Sequence, residues 1–129
     1  MSRPSAARMA SERPWVACLC AAWCVACREY GATFAALAAQ LGADADFAWI
    51  DIEDDADALG DLDIENFPTL LIADAAGARF FGPVMPQAST AERVIRGALG
   101  GALAADTDPA LVEHVRALVP RRLIAPRAA

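Results

Sequence analysis

Four cysteines crowded into ten residues, where a buried strand gives way to a helix, constrain this chain more than any other feature. Cys18, Cys20, Cys24 and Cys27 are its only cysteines, so no disulfide can staple distant parts of it together. The apolar run Trp15-Val16-Ala17-Cys18-Leu19-Cys20 is too short for a helix and reads as a buried strand. Beyond it, Tyr30, Phe34, Leu37 and Leu41 follow helical spacing, and Gly42 is placed to end that helix. Cys24 and Cys27 therefore fall in the first helical turn, three positions apart on one face and close enough to join. At the helix start, unpaired amide donors and the positive end of the dipole favour a thiolate at Cys24. Cys27, one turn in, is expected to be more buried and suited to attack a mixed disulfide from behind. One attacking thiolate and one resolving thiol are the minimal machinery of thiol–disulfide exchange.

The chain's 129 residues allow one domain with a sizeable core. Its 57% hydrophobic content is inflated by 32 alanines but still argues against disorder. All 11 basic residues are arginines, and a net charge of −6 makes nucleic acid or an anionic membrane an unsuitable partner. No window reaches 18 consecutive strongly apolar residues. Arg3, Arg8 and Arg13 could serve a signal peptide, but the apolar stretch after them already contains the cysteines. We therefore expect a cytoplasmic protein, where thiols stay reduced and a close cysteine pair serves catalysis or metal binding.

The patterning predicts the order β-α-β-α-β-β-α-α. Phe47 to Ile52 and Thr69 to Ala73 read as further strands, separated by a poorly patterned acidic helix from Ala56 to Leu62. Ala75-Ala76-Gly77 turns the third strand into a fourth over 78–81. Ser89-Thr90-Ala91-Glu92 reads as a capping box, and Asp108-Pro109 opens a last helix with the apolar stripe Leu111, Val112, Val115, Leu118 and Val119. The two early βα units predict parallel pairing, and the late hairpin an antiparallel edge. Expected boundaries are an N-terminal arm at 1–14, a main domain at 15–101 and a helical extension at 102–129 packed on it. Between Arg28 and Arg79 there are twelve acids and no basic residue, which reads as a solvated acidic face, with a surface for a basic partner as the alternative.

Phe67-Pro68-Thr69 opens the third strand, where proline is tolerated and a cis peptide bond costs little. Together with Trp23-Cys24-Val25-Ala26-Cys27, lying 44 residues from Cys24 to Pro68, it resembles the thioredoxin family. The resemblance covers about residues 15–100, extended by Ile64, Leu70-Leu71-Ile72, Gly77 and Gly82. It implies an α/β fold, a mixed sheet flanked by helices, here with a reduced N-terminus and an extra C-terminal helix. It further implies that Pro68 is cis and packs against the cysteine pair, with Trp23, Val25 and Ala26 in support. Backbone groups of Phe67, with Thr69 beside it, would hold an extended substrate segment by strand addition. Cys24 would be the nucleophile and Cys27 the resolving thiol in a protein-disulfide oxidoreductase of cell redox homeostasis. Its partners would be disulfide-containing proteins and, by family analogy, a flavin-dependent electron donor of the thioredoxin reductase type. No bound cofactor or metal is implied, and a monomer or weak dimer is expected.

The departures are specific. Val25-Ala26 stands where the family usually has Gly-Pro, so the direction of electron flow is left open. Cys18 aligns with the family's buried acid, Trp49 with the lysine beside it, and Cys20 with an aromatic residue. On a strand, Cys18 and Cys20 share a face, expected to lie beneath the active helix. They read first as small buried apolar residues. A second redox pair or proton relay with Cys27 is one alternative, and a zinc site formed by all four cysteines another. A binding module that keeps the fold while its redox activity has faded is the competing functional reading. His114, the only histidine, lies off the apolar stripe of the last helix and reads as a surface residue.

Overall fold

A computed structural model of the chain describes residues 13–21, 23–55, 68–84, 87–101 and 104–124. Strand β1 (Trp15–Cys20) is buried at every position. Strand β2 (Asp46–Asp51) runs parallel to it, with Cys18 opposite Trp49 and Cys20 opposite Asp51. On its other side β3 (Thr69–Asp74) runs antiparallel, with Cys18 opposite Leu70, and β4 (Gly77–Pro83) returns antiparallel along β3. The sheet order is β2-β1-β3-β4. The predicted strands are present within a residue or two of their expected ends. The acidic helix expected over 56–62, and Phe67, lie outside the described residues.

Strand alternation sorts β1 onto two cores. Val16, Cys18 and Cys20 join Phe47, Leu70 and Ile72 beneath helix α1 (Val25–Leu41) and helix α2 (Ala88–Leu99). Trp15, Ala17 and Leu19 join Ala48, Ile50, Leu71 and Ala73 on the opposite face, covered by helix α3 (Pro109–Leu118). The sheet is thus the middle of three layers, which explains an all-apolar β1: neither face meets water. Each buried aliphatic side chain of the α3 stripe contributes about 1.5–3 kcal/mol of transfer free energy. The C-terminal helix does cover an apolar sheet face, as its stripe implied.

Helix termini show where local signals are obeyed and where they are overridden. Asp108 caps α3, its Oδ1 accepting from the Ala110 N–H at 3.0 Å, with Pro109 in the first turn. The capping box at Ser89 is not used. Helix α2 begins at Ala88 with Gln87 as N-cap and no side-chain cap bond, so Ser89 already has a helical position. Glu92 turns outward, accepting from Arg96 at 2.8 Å and Gln40 at 3.2 Å. The C-terminus of α1 is closed by Arg13, which donates to the carbonyls of Gly42 at 2.9 Å and Ala43 at 3.2 Å and to Asp46 at 3.1 Å. Residues 122–124 line the outer edge of β2: the Trp49 N–H donates to the Arg122 carbonyl and the Ile124 N–H to the Phe47 carbonyl. Arg122 is pinned there by the buried carboxylate of Asp55 at 2.6 and 3.0 Å.

Candidate functional site

The strand-to-helix junction assembles the cysteines. β1 ends at Cys20, the chain crosses Ala21 and Trp23, and the Cys24 N–H donates to the Ala21 carbonyl at 3.0 Å, tightening the turn. Cys24 is the N-cap of α1, in an extended conformation with no side-chain cap bond, and its carbonyl accepts from the Arg28 N–H at 3.1 Å. It is a free, partly exposed thiol. Trp23 and Val25 on either side of it are among the most exposed large apolar side chains, at 59% and 57%. The Trp23 indole N–H donates to Glu53 Oε2 at 2.8 Å, which ties the junction to the turn after β2. Glu53 was not anticipated, because 30 residues separate the pair and no local pattern links them.

Below the cap the pairing differs from that read from spacing. Cys27, 1% exposed, is joined in a disulfide to Cys20 on β1, across a Cα–Cα distance of 5.7 Å, and Cys24 is left free. The reason is the layering: the inner face of the first helical turn lies directly on the end of β1, whereas Cys24 sits at the rim. The shared face expected for Cys18 and Cys20 is present, and Cys18 Sγ lies 3.6 Å from Cys20 Sγ. Cys20 is therefore more than an apolar filler. Its strand periodicity aimed it at the helix but carried no distance to Cys27 there.

Cys18 is fully buried, and burial alone pushes its thiol far above the ordinary range, so it stays protonated. Tyr30 belongs to the same core. Burial, and then the neighbouring Cys18, push its phenol up, and its hydroxyl has no hydrogen-bond partner among the described residues. Trp49, where the resemblance placed a lysine, packs its ring 5.9 Å from Phe34, and it is the lateral neighbour of Cys18 across the parallel ladder. The two positions of the usual acid and lysine are thus adjacent, but they hold an unionised thiol and an indole. Two of the four sulfurs that could have ligated zinc are bonded to each other, and no group of three or more potential ligands is arranged for a metal among the described residues.

Pro68 is fully buried just before β3, and its carbonyl accepts from the Val84 N–H at 3.1 Å. Thr69 beside it is buried at 3%. His114 is exposed on α3, the helix that covers the face opposite the cysteines. No helix among the described residues is long and apolar enough to cross a membrane.

The sequence pattern of the family described as "Thioredoxin" matches residues 6–84, more than half of the chain. This chain belongs to the thioredoxin family. Its fold is similar to chloroplastic thioredoxin z, at 18% identity and TM-score 0.60 over 78% of this chain and 93% of that one. It is similar to the germline-specific thioredoxin Deadhead of Drosophila melanogaster, at 16% identity and TM-score 0.59 over 72% and 88%. Mitochondrial thioredoxin 3 of Saccharomyces cerevisiae, in its oxidised form, aligns at 15% identity and TM-score 0.56 over 74% and 91%. At these identities the likeness is one of fold. No protein of curated function matches this chain in sequence. Within the thioredoxin family, this member has a mixed four-stranded sheet, an added C-terminal helix and neighbouring cysteines that form a disulfide.

Proposed function

We propose that this thioredoxin-family protein is a protein-disulfide oxidoreductase in which Cys24 is the nucleophile and Cys27 the resolving thiol. The observation that carries the reading is a free, partly exposed cysteine at the N-cap of α1, directly above a buried disulfide that includes Cys27. From the fully reduced state, the Cys24 thiolate attacks one sulfur of a partner disulfide, and the partner's other sulfur leaves as a thiolate. Cys27 then attacks Cys24 Sγ, the partner leaves as a dithiol, and the oxidising equivalent stays on the protein. Trp23 and Val25 offer an apolar rim to a partner segment. In this reading Ala26 keeps the cap compact, Pro68 is a cis proline against the cysteines, and Phe67 and Thr69 hold the segment by strand addition.

The working unit is 15–101, with 1–14 as an arm and 102–129 as cover for the far sheet face. The setting is the reducing cytoplasm, and a reductase-type donor returns the protein to its dithiol form. Changing Cys24→Ser is expected to abolish reduction of insulin disulfides, while Cys27→Ser is expected to accumulate mixed disulfides with partners. Retained turnover in the Cys24→Ser protein would overturn the assignment of Cys24 as nucleophile, and a wild-type protein without turnover would favour a fold kept for binding.

A further inference from the structure

Exchange with a partner needs two thiols, but the sulfur that resolves it here is bonded to a third. Cys27 is joined to Cys20 on the strand below, and Cys24 stands three residues before it, at the N-cap of the same helix. Cys24 packs against the same core cluster that contains Cys18, Cys20 and Cys27. Cys20 and Cys27 are each 1% exposed, so an external thiol has no direct path to their bond, whereas Cys24 is partly open to solvent.

We infer that the cluster is an internal disulfide relay, in which Cys20 and Cys24 exchange places as the partner of Cys27. The inference rests on the oxidoreductase reading and deepens it. After Cys24 and Cys27 have taken two electrons' worth of oxidation from a partner, Cys20 attacks Cys27 Sγ. The Cys24–Cys27 bond breaks, the Cys20–Cys27 bond forms, and the electron pair leaves on Cys24, which takes up the proton given by Cys20. No net oxidation occurs. The oxidising equivalent moves inward and Cys24 is free again at the rim. Reduction runs the same path backwards, with Cys24 attacking Cys27 and expelling Cys20.

Cys18 is the positioning residue of that return step. In the disulfide Cys20 carries no hydrogen, so the 3.6 Å contact is an S–H donated by Cys18 to Cys20 Sγ. It stabilises the departing Cys20 thiolate within a cluster of apolar side chains. Because burial keeps Cys18 protonated, the donor is present throughout the neutral pH range.

Disulfide mapping of the air-oxidised wild-type protein tests the relay, with free thiols alkylated by iodoacetamide first in the folded and then in the unfolded state. Chymotryptic cleavage after Leu19 and Trp23 puts Cys18, Cys20 and the Cys24/Cys27 pair on separate peptides. The expected product is 20–23 cross-linked to 24–30, with Cys24 alkylated in the folded protein and Cys18 only after unfolding. A 24–30 peptide closed on itself as the main species, with Cys20 alkylated, would overturn the relay. In the second arm, oxidised protein blocked at Cys24 by alkylation, or the Cys24→Ser variant, is reduced with dithiothreitol. Its Cys20–Cys27 bond should reduce about tenfold or more slowly than in unblocked protein, since the mediating thiolate is gone. Equal rates would also overturn the relay. Correct mapping and slowed reduction without turnover on partner disulfides would remove the oxidoreductase reading alone; intact turnover with a Cys24–Cys27 product would remove the relay alone.

Discussion

Tyr30 shows how residue-scale constraints around the cysteines can be separated from function. Its ring fills space beside Phe34, with centroids 6.1 Å apart, but its hydroxyl is buried without a partner among the described residues. A buried unpaired hydroxyl costs about 1–3 kcal/mol, so Tyr30→Phe should leave stability unchanged or raise it by about 1 kcal/mol in urea unfolding. A clear loss would instead mean that the hydroxyl has a hydrogen-bonding role, with Cys18 as the thiol that acts on it electrostatically. The residue types at this site were legible in the sequence: two thiols on a helical turn, two more on a strand face, a tryptophan and a proline. Their bonding was not, because Cys20 and Cys27 are seven residues apart across a change of element. Local spacing describes distances within a helix or within a strand, and gives none between them.

At the scale of elements, helix α1 is closed by a residue that precedes β1. Arg13→Ala removes two hydrogen bonds to terminal carbonyls and one ion pair with Asp46, and should cost about 1–2 kcal/mol. Arg13→Lys should recover only part of that, since a single ammonium cannot reproduce the fork. The β3–β4 hairpin carries a pH signature. Burial pushes Asp74 up, but hydrogen bonds from Arg79 at 2.8 Å and the Ala76 N–H at 2.9 Å outweigh it and hold the carboxyl below its ordinary 3.8. A lowered folded value means that this stabilisation is present above the ordinary value and is lost as pH falls through the folded one. Asp74→Asn should therefore destabilise the neutral protein by about 1 kcal/mol and flatten the acid limb of its stability curve below pH ~4. The turn itself needs Gly77, whose φ of +133° lies where other residues are strained. That glycine was readable from sequence. The unused capping box was not, because packing of Ala91, Ile95 and Ala98 on the sheet sets where α2 starts.

At the scale of the whole molecule, α3 and the segment after it close two surfaces at once, the sheet face behind the cysteines and the outer edge of β2. A chain ending at residue 107 would expose Trp15, Ala17, Leu19, Ile50 and Leu71 together with an unpaired strand edge. It should be recovered as aggregate, or as an expanded state that binds a hydrophobic dye; a stable monomer with wild-type unfolding behaviour would contradict this. Periodicity alone determined the described strands, helices α1 to α3 and the apolar stripe of α3, because those patterns repeat over distances shorter than an element. Residue chemistry alone determined that the junction after β1 is a thiol site. Only the tertiary structure decided that β3 runs antiparallel to β1, that Arg13 caps α1 and that residues 122–124 cover β2. It also decided that Cys27 bonds to Cys20 and leaves Cys24 free. Each of those outcomes depends on which surfaces meet when three layers pack, a distance through space that spacing along the chain does not encode.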